Sequence, residues 1–162
     1  LLITTAFRRT PKSGDRMLTT SHKAYAFEDL SIGQEASYER AVTDADIVTF
    51  AEVSGDKNPV HLDSAFAATT PFKTRISHGM LTASYISTVF GMRLPGPGAI
   101  YVSQSMSFRG PVKIGDTVTA SVKLKELVAG KRRAVFDCKC SVAGKSVLEG
   151  EAVLMVPSRA KT

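Results

Sequence analysis

The sequence predicts a single α+β domain, in which an antiparallel sheet packs against one buried helix. Two observations support this prediction. Residues 79–92 are apolar or small almost without interruption, whereas residues 100–156 alternate between apolar and polar side chains and contain tight turns. The first pattern is typical of a buried helix, and the second of an antiparallel sheet with one buried face. At 162 residues the chain is long enough to form a core of its own.

A helix is predicted over residues 44–54. Thr43 is a good N-cap, and two aspartates follow in the first turn, where the helix dipole favours negative charge. Apolar residues then recur at helical spacing, at Ile47, Phe50 and Ala51. Gly55 is a typical residue to end this helix. A second, short helix is expected over residues 63–69, with Asp63 as its cap and Pro71 just beyond its end.

The helix predicted over residues 79–92 carries no charged side chain. Its apolar residues point in nearly all directions around the helix axis: Met80, Leu81, Ala83, Tyr85, Ile86, Val89 and Phe90. A helix that lacks a polar face is a buried one, so we expect the sheet to surround it. The sequence P-G-P-G at residues 95–98 marks the turn from this helix into the sheet.

Four strands are predicted in the second half of the chain, joined by hairpin turns around Gly130 and Gly144. Four apolar rows are expected to face the core: Ile100, Val102, Met106 and Phe108; Val118, Ala120, Val122 and Leu124; Ala134, Phe136, Cys138, Cys140 and Val142; Leu148, Gly150, Ala152, Leu154 and Val156. The two cysteines share a face and do not readily bridge to each other. We interpret them as reduced packing residues of an intracellular protein.

The charge distribution argues against several classes of protein. The net charge is +6, but residues 1–16 hold four basic residues and one acidic residue, so half of the excess lies there. No basic stripe interleaved with aromatic residues is present, and we expect no nucleic acid partner. No apolar run approaches the roughly 20 residues that span a bilayer, so no membrane partner is expected either. We expect a cytoplasmic protein, or an organellar one if residues 1–16 are the remnant of an import signal.

The most informative feature is the sequence S-G-D-K-N-P-V-H at residues 54–61, which is followed by H-G-M at residues 78–80. Because Pro59 disfavours a continuous helix, we expect a non-helical turn that brings Asp56 and His61 together. A convergent carboxylate and imidazole are what general acid–base chemistry requires. The alternative is that Asp56 only caps a turn and that His61 only packs at the edge of a loop.

These motifs resemble those of the MaoC-like hydratases, in particular the (R)-specific enoyl-CoA hydratases. The resemblance runs from S-G-D-K-N-P-V-H-L-D-S-A-F through I-S-H-G-M-L and R-L-P-G-P-G-A-I-Y to F-R-G-P-V-K-I-G-D-T-V. It implies a single hot-dog fold, in which an antiparallel sheet wraps one long central helix. Residues 25–157 would form this domain, with a basic extension at residues 1–24 and a tail at residues 158–162. A homodimer paired through sheet edges is also implied.

The resemblance implies (R)-specific hydration of trans-2-enoyl-CoA to (R)-3-hydroxyacyl-CoA by syn addition of water, without a cofactor or a metal. Asp56 and His61 would form the acid–base pair, and which of them is acid and which is base stays open. The N–H of Gly79, at the start of the central helix, would bind the thioester oxygen. Asn58 would support the loop. Ser87, two helical turns after Gly79, would hydrogen-bond the aspartate.

Other functions stay open at this point. The nearest alternative is a 3-hydroxyacyl-[acyl-carrier-protein] dehydratase, which runs the same chemistry in reverse. An acyl-CoA thioesterase and a non-catalytic acyl-CoA-binding module are further alternatives, but the motif around Asp56 and His61 argues against both. His78 is interpreted as a structural or helix-capping imidazole. The acyl chain length and the choice between CoA and carrier protein are not readable from the sequence.

Overall fold

The computed structural model describes residues 23–159 and contains nine helices and strands besides two short 3-10 turns. The helices are α1 (Asp44–Ser54), α2 (Pro59–Leu62), α3 (Ser64–Thr69) and α4 (Gly79–Met92). The strands are β1 (Glu35–Ala41), β2 (Ile100–Phe108), β3 (Thr117–Val128), β4 (Arg133–Val142) and β5 (Lys145–Met155). Most of the expected N-terminal extension lies outside the described residues. None of the described helices is long and apolar enough to cross a membrane.

The five strands form one antiparallel sheet in the order β1-β3-β4-β5-β2, and α4 packs against its concave face. The aromatic rings of Phe90 on α4 and Phe136 on β4 meet edge to face, with their centroids 5.0 Å apart. The apolar rows predicted for the last three strands face this core, and each has at least three members that are almost fully buried. The predicted antiparallel sheet on a central helix is therefore confirmed.

The first helix and its ends agree with the sequence prediction. The Thr43 hydroxyl accepts a hydrogen bond from the Asp46 N–H, and the Asp46 carboxylate accepts one from the Thr43 N–H, which together form a capping box. The helix ends at Gly55 in a left-handed conformation with φ 78°. Asp63 caps α3 as predicted, by accepting hydrogen bonds from the two N–H groups that follow in its first turn.

Strand β1 was not predicted, and the buried face predicted for β2 was wrong for three of its four residues. Both strands lie at the edges of the sheet, where only one neighbour is present. A bulge between Tyr101 and Ser103 shifts the alternation in β2, so that the Tyr101 ring contacts Phe90 on the core side. Met106 packs against the core as predicted. The other three residues of the predicted row are exposed: Ile100, Val102 and Phe108.

Helix α4 is buried on one side only, although its sequence predicted burial all around. Seven of its fourteen residues are buried against the sheet and the neighbouring loops. The opposite side is formed by a stripe of small or flexible residues that is exposed in the single chain: Met80, Ser84, Ser87 and Gly91. The uncharged sequence of α4 therefore covers two different faces, one buried in the core and one exposed in the single chain.

The segment that follows α1 differs in one respect from the prediction. Residues 55–58 are non-helical as expected, but Pro59 begins a single helical turn, α2, and His61 lies within that turn. Proline is well suited to the first position of a helix, because its missing N–H has no helical partner there and its fixed φ matches the helix. Pro59 therefore starts a new helix as well as preventing the continuation of α1.

Strands β2 and β5 approach each other closely at one point in the sheet. Gly150 on β5 faces Met106 on β2, and an added Cβ at Gly150 would lie 2.9 Å from the Met106 Cα. Only glycine allows the two strands to approach this closely.

The thiols of Cys138 and Cys140 are free, and burial raises the pKa of each to about 12, so that both remain protonated packing groups.

Candidate active site

The turn after α1 is held in place by its own side chains. The Asp56 carboxylate accepts a hydrogen bond from the Asn58 N–H (3.2 Å), and the Asn58 side-chain oxygen accepts one from the Val60 N–H (3.2 Å). Asn58 is therefore the N-cap of α2. These two hydrogen bonds fix the backbone so that the exposed Asp56 carboxylate lies beside α2, the helix that carries His61.

His61 is buried and oriented by a main-chain hydrogen bond. Its Nδ1–H group donates to the Ile76 carbonyl oxygen (2.9 Å). Because a carbonyl can only accept, Nδ1 carries the hydrogen and Nε2 keeps a lone pair. Burial lowers the pKa of His61, and the hydrogen bond to Ile76 opposes part of this effect. The imidazole is thus held as a neutral base near pH 7.

His78 packs directly on this imidazole. The two rings have centroids 3.8 Å apart and an interplanar angle of 30°. The Nε2–H group of His78 donates to the Asp56 carbonyl oxygen (2.9 Å). His78 also contacts Phe50 of α1, with ring centroids 5.0 Å apart. The sequence motif H-G-M at residues 78–80 therefore reaches both members of the Asp56/His61 pair.

Gly79 is the first residue of α4, so its N–H has no partner within the helix. The Phe108 ring lies against it, and an added Cβ at Gly79 would come within 2.7 Å of the ring edge. Glycine at this position therefore leaves room both for Phe108 and for a ligand that approaches the helix N-terminus. The positive end of the α4 dipole favours developing negative charge at this point.

A cavity of about 580 Å³ joins these groups. Asp56, His61 and Gly79 all line it. Most of its remaining wall is apolar and comes from elements that are distant in the sequence: Phe72, Ile76, Met80, Phe108, Pro111, Val112 and Val147. Sequence reasoning did not identify most of this wall, because its members are brought together only by the tertiary fold. An apolar cavity with a few convergent polar groups is typical of a binding site for a small molecule.

Ser87 does not join the site within the single chain. It is exposed on the open face of α4 and is not part of the cavity wall formed by the described residues. The structure thus brings Asp56, Asn58, His61 and Gly79 together, whereas Ser87 lies two helical turns away from Gly79 along α4. The role of Ser87 stays a prediction.

Arg75 supports the turn that carries Asp56 and His61, a structural role that the sequence analysis did not predict. Its Nε–H group donates to the His61 carbonyl oxygen (2.6 Å), and its Nη2 atom lies 2.7 Å from the Asp44 carboxylate. The side chain is largely buried. Arg75 therefore connects the end of α2 to the start of α1, which helps to fix the position of His61.

The described residues contain one cluster with the donor atoms of a metal site. Atoms of Asp56, His61 and His78 lie within 4.8 Å of one another. However, carbonyl groups already accept from Nδ1 of His61 and from Nε2 of His78. The two rings also pack against each other, with their centroids 3.8 Å apart. One nitrogen of each imidazole is therefore already engaged in a hydrogen bond to the main chain.

The fold and the site together define a hot-dog protein in which a carboxylate, an imidazole and a helix N-terminus meet at an apolar cavity. The MaoC like domain model matches residues 29–149. The chain therefore belongs to the MaoC-like family, and the resemblance predicted from its motifs is confirmed.

Known proteins with related sequences and structures agree with this placement. The chain is 56% identical over 133 residues to an (R)-specific enoyl-CoA hydratase of Rhodospirillum rubrum, covering 82% of this chain and 92% of that protein. It is 51% identical to a 3-hydroxybutyryl-CoA dehydratase of Methylorubrum extorquens, covering 82% and 85%. An R-hydratase structure from Pseudomonas aeruginosa matches with a TM-score of 0.80 at 43% identity, covering 84% and 88%. These names agree with the predicted hydro-lyase class.

The geometry predicts that His61 resists protonation. Because burial lowers its pKa below the ordinary value of about 6.5, the ring should stay neutral as the pH falls through 6.5. An NMR titration of histidine ring protons would measure this, with the His61 signal assigned by its loss in His61→Gln. A midpoint at or above 6.5 would contradict the buried, Ile76-bonded imidazole.

Proposed function

We propose that this protein is an (R)-specific enoyl-CoA hydratase, which adds water to trans-2-enoyl-CoA and forms (R)-3-hydroxyacyl-CoA. The main observation is that Asp56, His61 and the free N–H of Gly79 line one cavity with apolar walls. Hydration of an enoyl thioester needs such a set: groups that move a proton, a donor for the thioester oxygen, and a dry pocket for the acyl chain. The 56% identity to the R. rubrum enzyme of that name supports the same reaction.

The reaction begins with a water molecule between the Asp56 carboxylate and the Nε2 lone pair of His61. As the pair removes one proton from this water, its oxygen bonds to C3 of the substrate. The electrons of the C2–C3 double bond shift toward the thioester, and negative charge develops on its oxygen. The Gly79 N–H and the N-terminus of α4 stabilise that charge.

The addition is completed when the pair returns one proton to C2. One water has then been split into a hydroxyl at C3 and a hydrogen at C2, and both enzyme groups regain their starting charge. Because Asp56 and His61 act from the same side of the cavity, both parts of water reach the same face of the double bond. The addition is therefore syn, and a single enantiomer, (R) in the proposed reaction, forms because the bound substrate presents only one face of its double bond to the pair.

The dehydration of 3-hydroxyacyl-[acyl-carrier-protein] uses the same groups in reverse and is the second candidate. A mitochondrial dehydratase of this name from Arabidopsis thaliana is 36% identical to the chain. The two relatives above 50% identity are named for CoA substrates, which favours CoA. A comparison of kcat/KM for crotonyl groups on CoA and on carrier protein would separate the two.

We infer in addition that the protein forms a homodimer through β2. The two edge strands differ in character: β1 carries charged residues, including Glu35, Glu39 and Arg40, whereas β2 exposes apolar ones. An unpaired apolar edge is an aggregation hazard unless it is covered. The exposed stripe on α4 begins at Met80, and Met80 also lines the cavity.

Sedimentation velocity would test the dimer. We expect a species of twice the 17.4 kDa chain mass, and we expect Val102→Lys on β2 to shift it toward the monomer, because a buried lysine at the pairing edge is costly. Lysine at the exposed Val53 of α1 is the matched control. A monomeric wild type at micromolar concentration would contradict the proposal.

Substitution of the acid–base pair tests the function. Asp56→Asn and His61→Gln should each lower kcat for crotonyl-CoA hydration by about 10²–10⁴-fold, because a lost acid–base group typically costs that much. Asp63→Asn is the matched control, since asparagine caps a helix as well as aspartate does and Asp63 is not part of the cavity wall. The product would be offered separately to (R)- and (S)-specific 3-hydroxyacyl-CoA dehydrogenases.

Only oxidation by the (R)-specific dehydrogenase agrees with the proposed reaction. Release of free CoA without hydration would identify a thioesterase instead. Near-wild-type hydration by either Asp56→Asn or His61→Gln would remove that residue from the mechanism.

The contact between Gly79 and Phe108 gives a separate test. Gly79→Ala should push the Phe108 ring into the cavity and lower kcat/KM for crotonyl-CoA about tenfold or more, because small displacements of reacting groups are costly. A second change, Phe108→Leu, should restore part of the loss by making room for the new methyl group. Equal kcat/KM for wild type and Gly79→Ala would argue against substrate binding at this helix N-terminus.

A further inference from the structure

His78 touches three parts of the site that the chain supplies from separate segments. Its Nε2–H group donates to the Asp56 carbonyl oxygen (2.9 Å), and its ring stacks on the His61 ring at 3.8 Å. It is also the N-cap of α4 and therefore directly precedes Gly79. No other contact links the Asp56 main chain to the α4 N-terminus among the described hydrogen bonds.

The His78 ring is itself held firmly. Only 2% of the residue is exposed, and the His78 carbonyl accepts a hydrogen bond from the Thr82 N–H (3.3 Å). The ring also contacts Phe50, which belongs to α1, the helix that ends just before Asp56. His78 therefore packs against α1 and α2 while it begins α4, and it is suited to act as a fixed reference for both catalytic side chains.

Packing alone does not account for an imidazole at this position. The Nδ1 atom of His78 is buried and has no hydrogen-bond partner among the described residues. A buried polar atom without a partner costs free energy, and an aromatic residue without nitrogen would avoid that cost. The histidine is explained by its other nitrogen, because Nε2–H satisfies the Asp56 carbonyl and ties down the turn that carries the carboxylate.

We propose that His78 is a positioning residue, which sets the distance between the Asp56 carboxylate and the His61 imidazole so that both reach one water molecule. This inference rests on the roles proposed above for Asp56 and His61. His78 is not part of the cavity wall formed by the described residues, so it acts through its neighbours without touching substrate.

Two substitutions separate the functions of the ring and of its donor. His78→Phe keeps an aromatic ring against His61 but removes the Nε2–H group, whereas His78→Gln keeps an N–H donor at a similar distance from the main chain but removes the ring. We expect kcat for crotonyl-CoA hydration to fall by about 10- to 100-fold in His78→Phe, with KM little changed, because misplacement of reacting groups costs that order of magnitude. His78→Gln should retain more of kcat, since Asp56 is still held.

The pH profile provides a readout that a merely structural role would not move. The titratable groups of the described chain that face the His61 ring are Asp56 and His78, while Arg75 contacts the His61 main chain and pairs with Asp44. Burial lowers the pKa of His61, and the His78 ring that packs on the imidazole contributes to this burial. His78→Gln removes the ring and exposes His61, so the acid limb of kcat/KM should move to higher pH, and it should move less in His78→Phe, which keeps an aromatic ring there.

The measurements are kcat, KM and the pH dependence of kcat/KM for wild type and both variants, with the melting temperature as a check of folding. Folded variants with wild-type kcat and an unmoved acid limb would overturn the proposal. If neither variant folds, ¹⁵N NMR of the imidazole nitrogens in the wild type decides the matter, and the sequence has only three histidines to assign. Hydrogen on Nε2 of His78 would support the proposal, and hydrogen on Nδ1 would overturn it.

Failure of the positioning role of His78 can be distinguished from failure of the proposed function. If Asp56→Asn and His61→Gln retain hydration, the acid–base site itself is wrong, whatever the His78 variants do. If those two variants lose hydration while the His78 variants keep wild-type kcat and pH dependence, only the positioning role fails.

Discussion

The candidate site depends on the segment at residues 75–78, which connects the turn between α1 and α2 to the rest of the protein. On one side, this segment makes three hydrogen bonds to the turn. The Arg75 guanidinium donates to the His61 carbonyl, the Ile76 carbonyl accepts from the His61 ring, and the His78 ring donates to the Asp56 carbonyl. On the other side, the Ser77 N–H donates to the Val112 carbonyl oxygen (2.7 Å). Without this segment, the turn between α1 and α2 would be held mainly by its own local hydrogen bonds.

This construction suits a reaction that moves protons without net change in the enzyme. The hydrogen bond to Ile76 fixes which nitrogen of His61 carries the hydrogen, and burial keeps the ring neutral. Asp56 stays exposed to the cavity mouth, where its carboxylate is stabilised by solvent and by the Asn58 N–H. One buried imidazole and one exposed carboxylate therefore line the same cavity from different environments.

Sequence reasoning succeeded where local rules dominate. The ends of α1 follow from Thr43 and Gly55, and the buried rows of β3, β4 and β5 follow from strict alternation. It failed at β1 and β2, because an edge strand has one neighbour and its burial is set by what covers it. The apolar sequence of α4 gave no sign that one face is open in the single chain.

The residues of the candidate site also divide into those that a local motif predicts and those that only tertiary contacts bring together. Asp56, His61 and Gly79 stand in a compact motif that could be recognised, and the structure places all three on one cavity. Arg75 and Phe108 could not be found in this way, because their contacts join residues that are 14 and 29 positions apart in the chain. The hydrogen bond between Ser87 and Asp56 is implied by the resemblance and stays a prediction, because helical spacing alone cannot show which residues lie across from a helix face.

The close approach of β2 and β5 at Gly150 links the packing of the sheet to the shape of the cavity. A side chain at this position would move β2 outward, and Phe108 lies at the end of that strand, against Gly79. The width of the cavity beside Phe108 is therefore set partly by a glycine in the middle of β5 that is not part of the cavity wall. A side chain at this position would change the shape of the cavity and leave Asp56 and His61 in place.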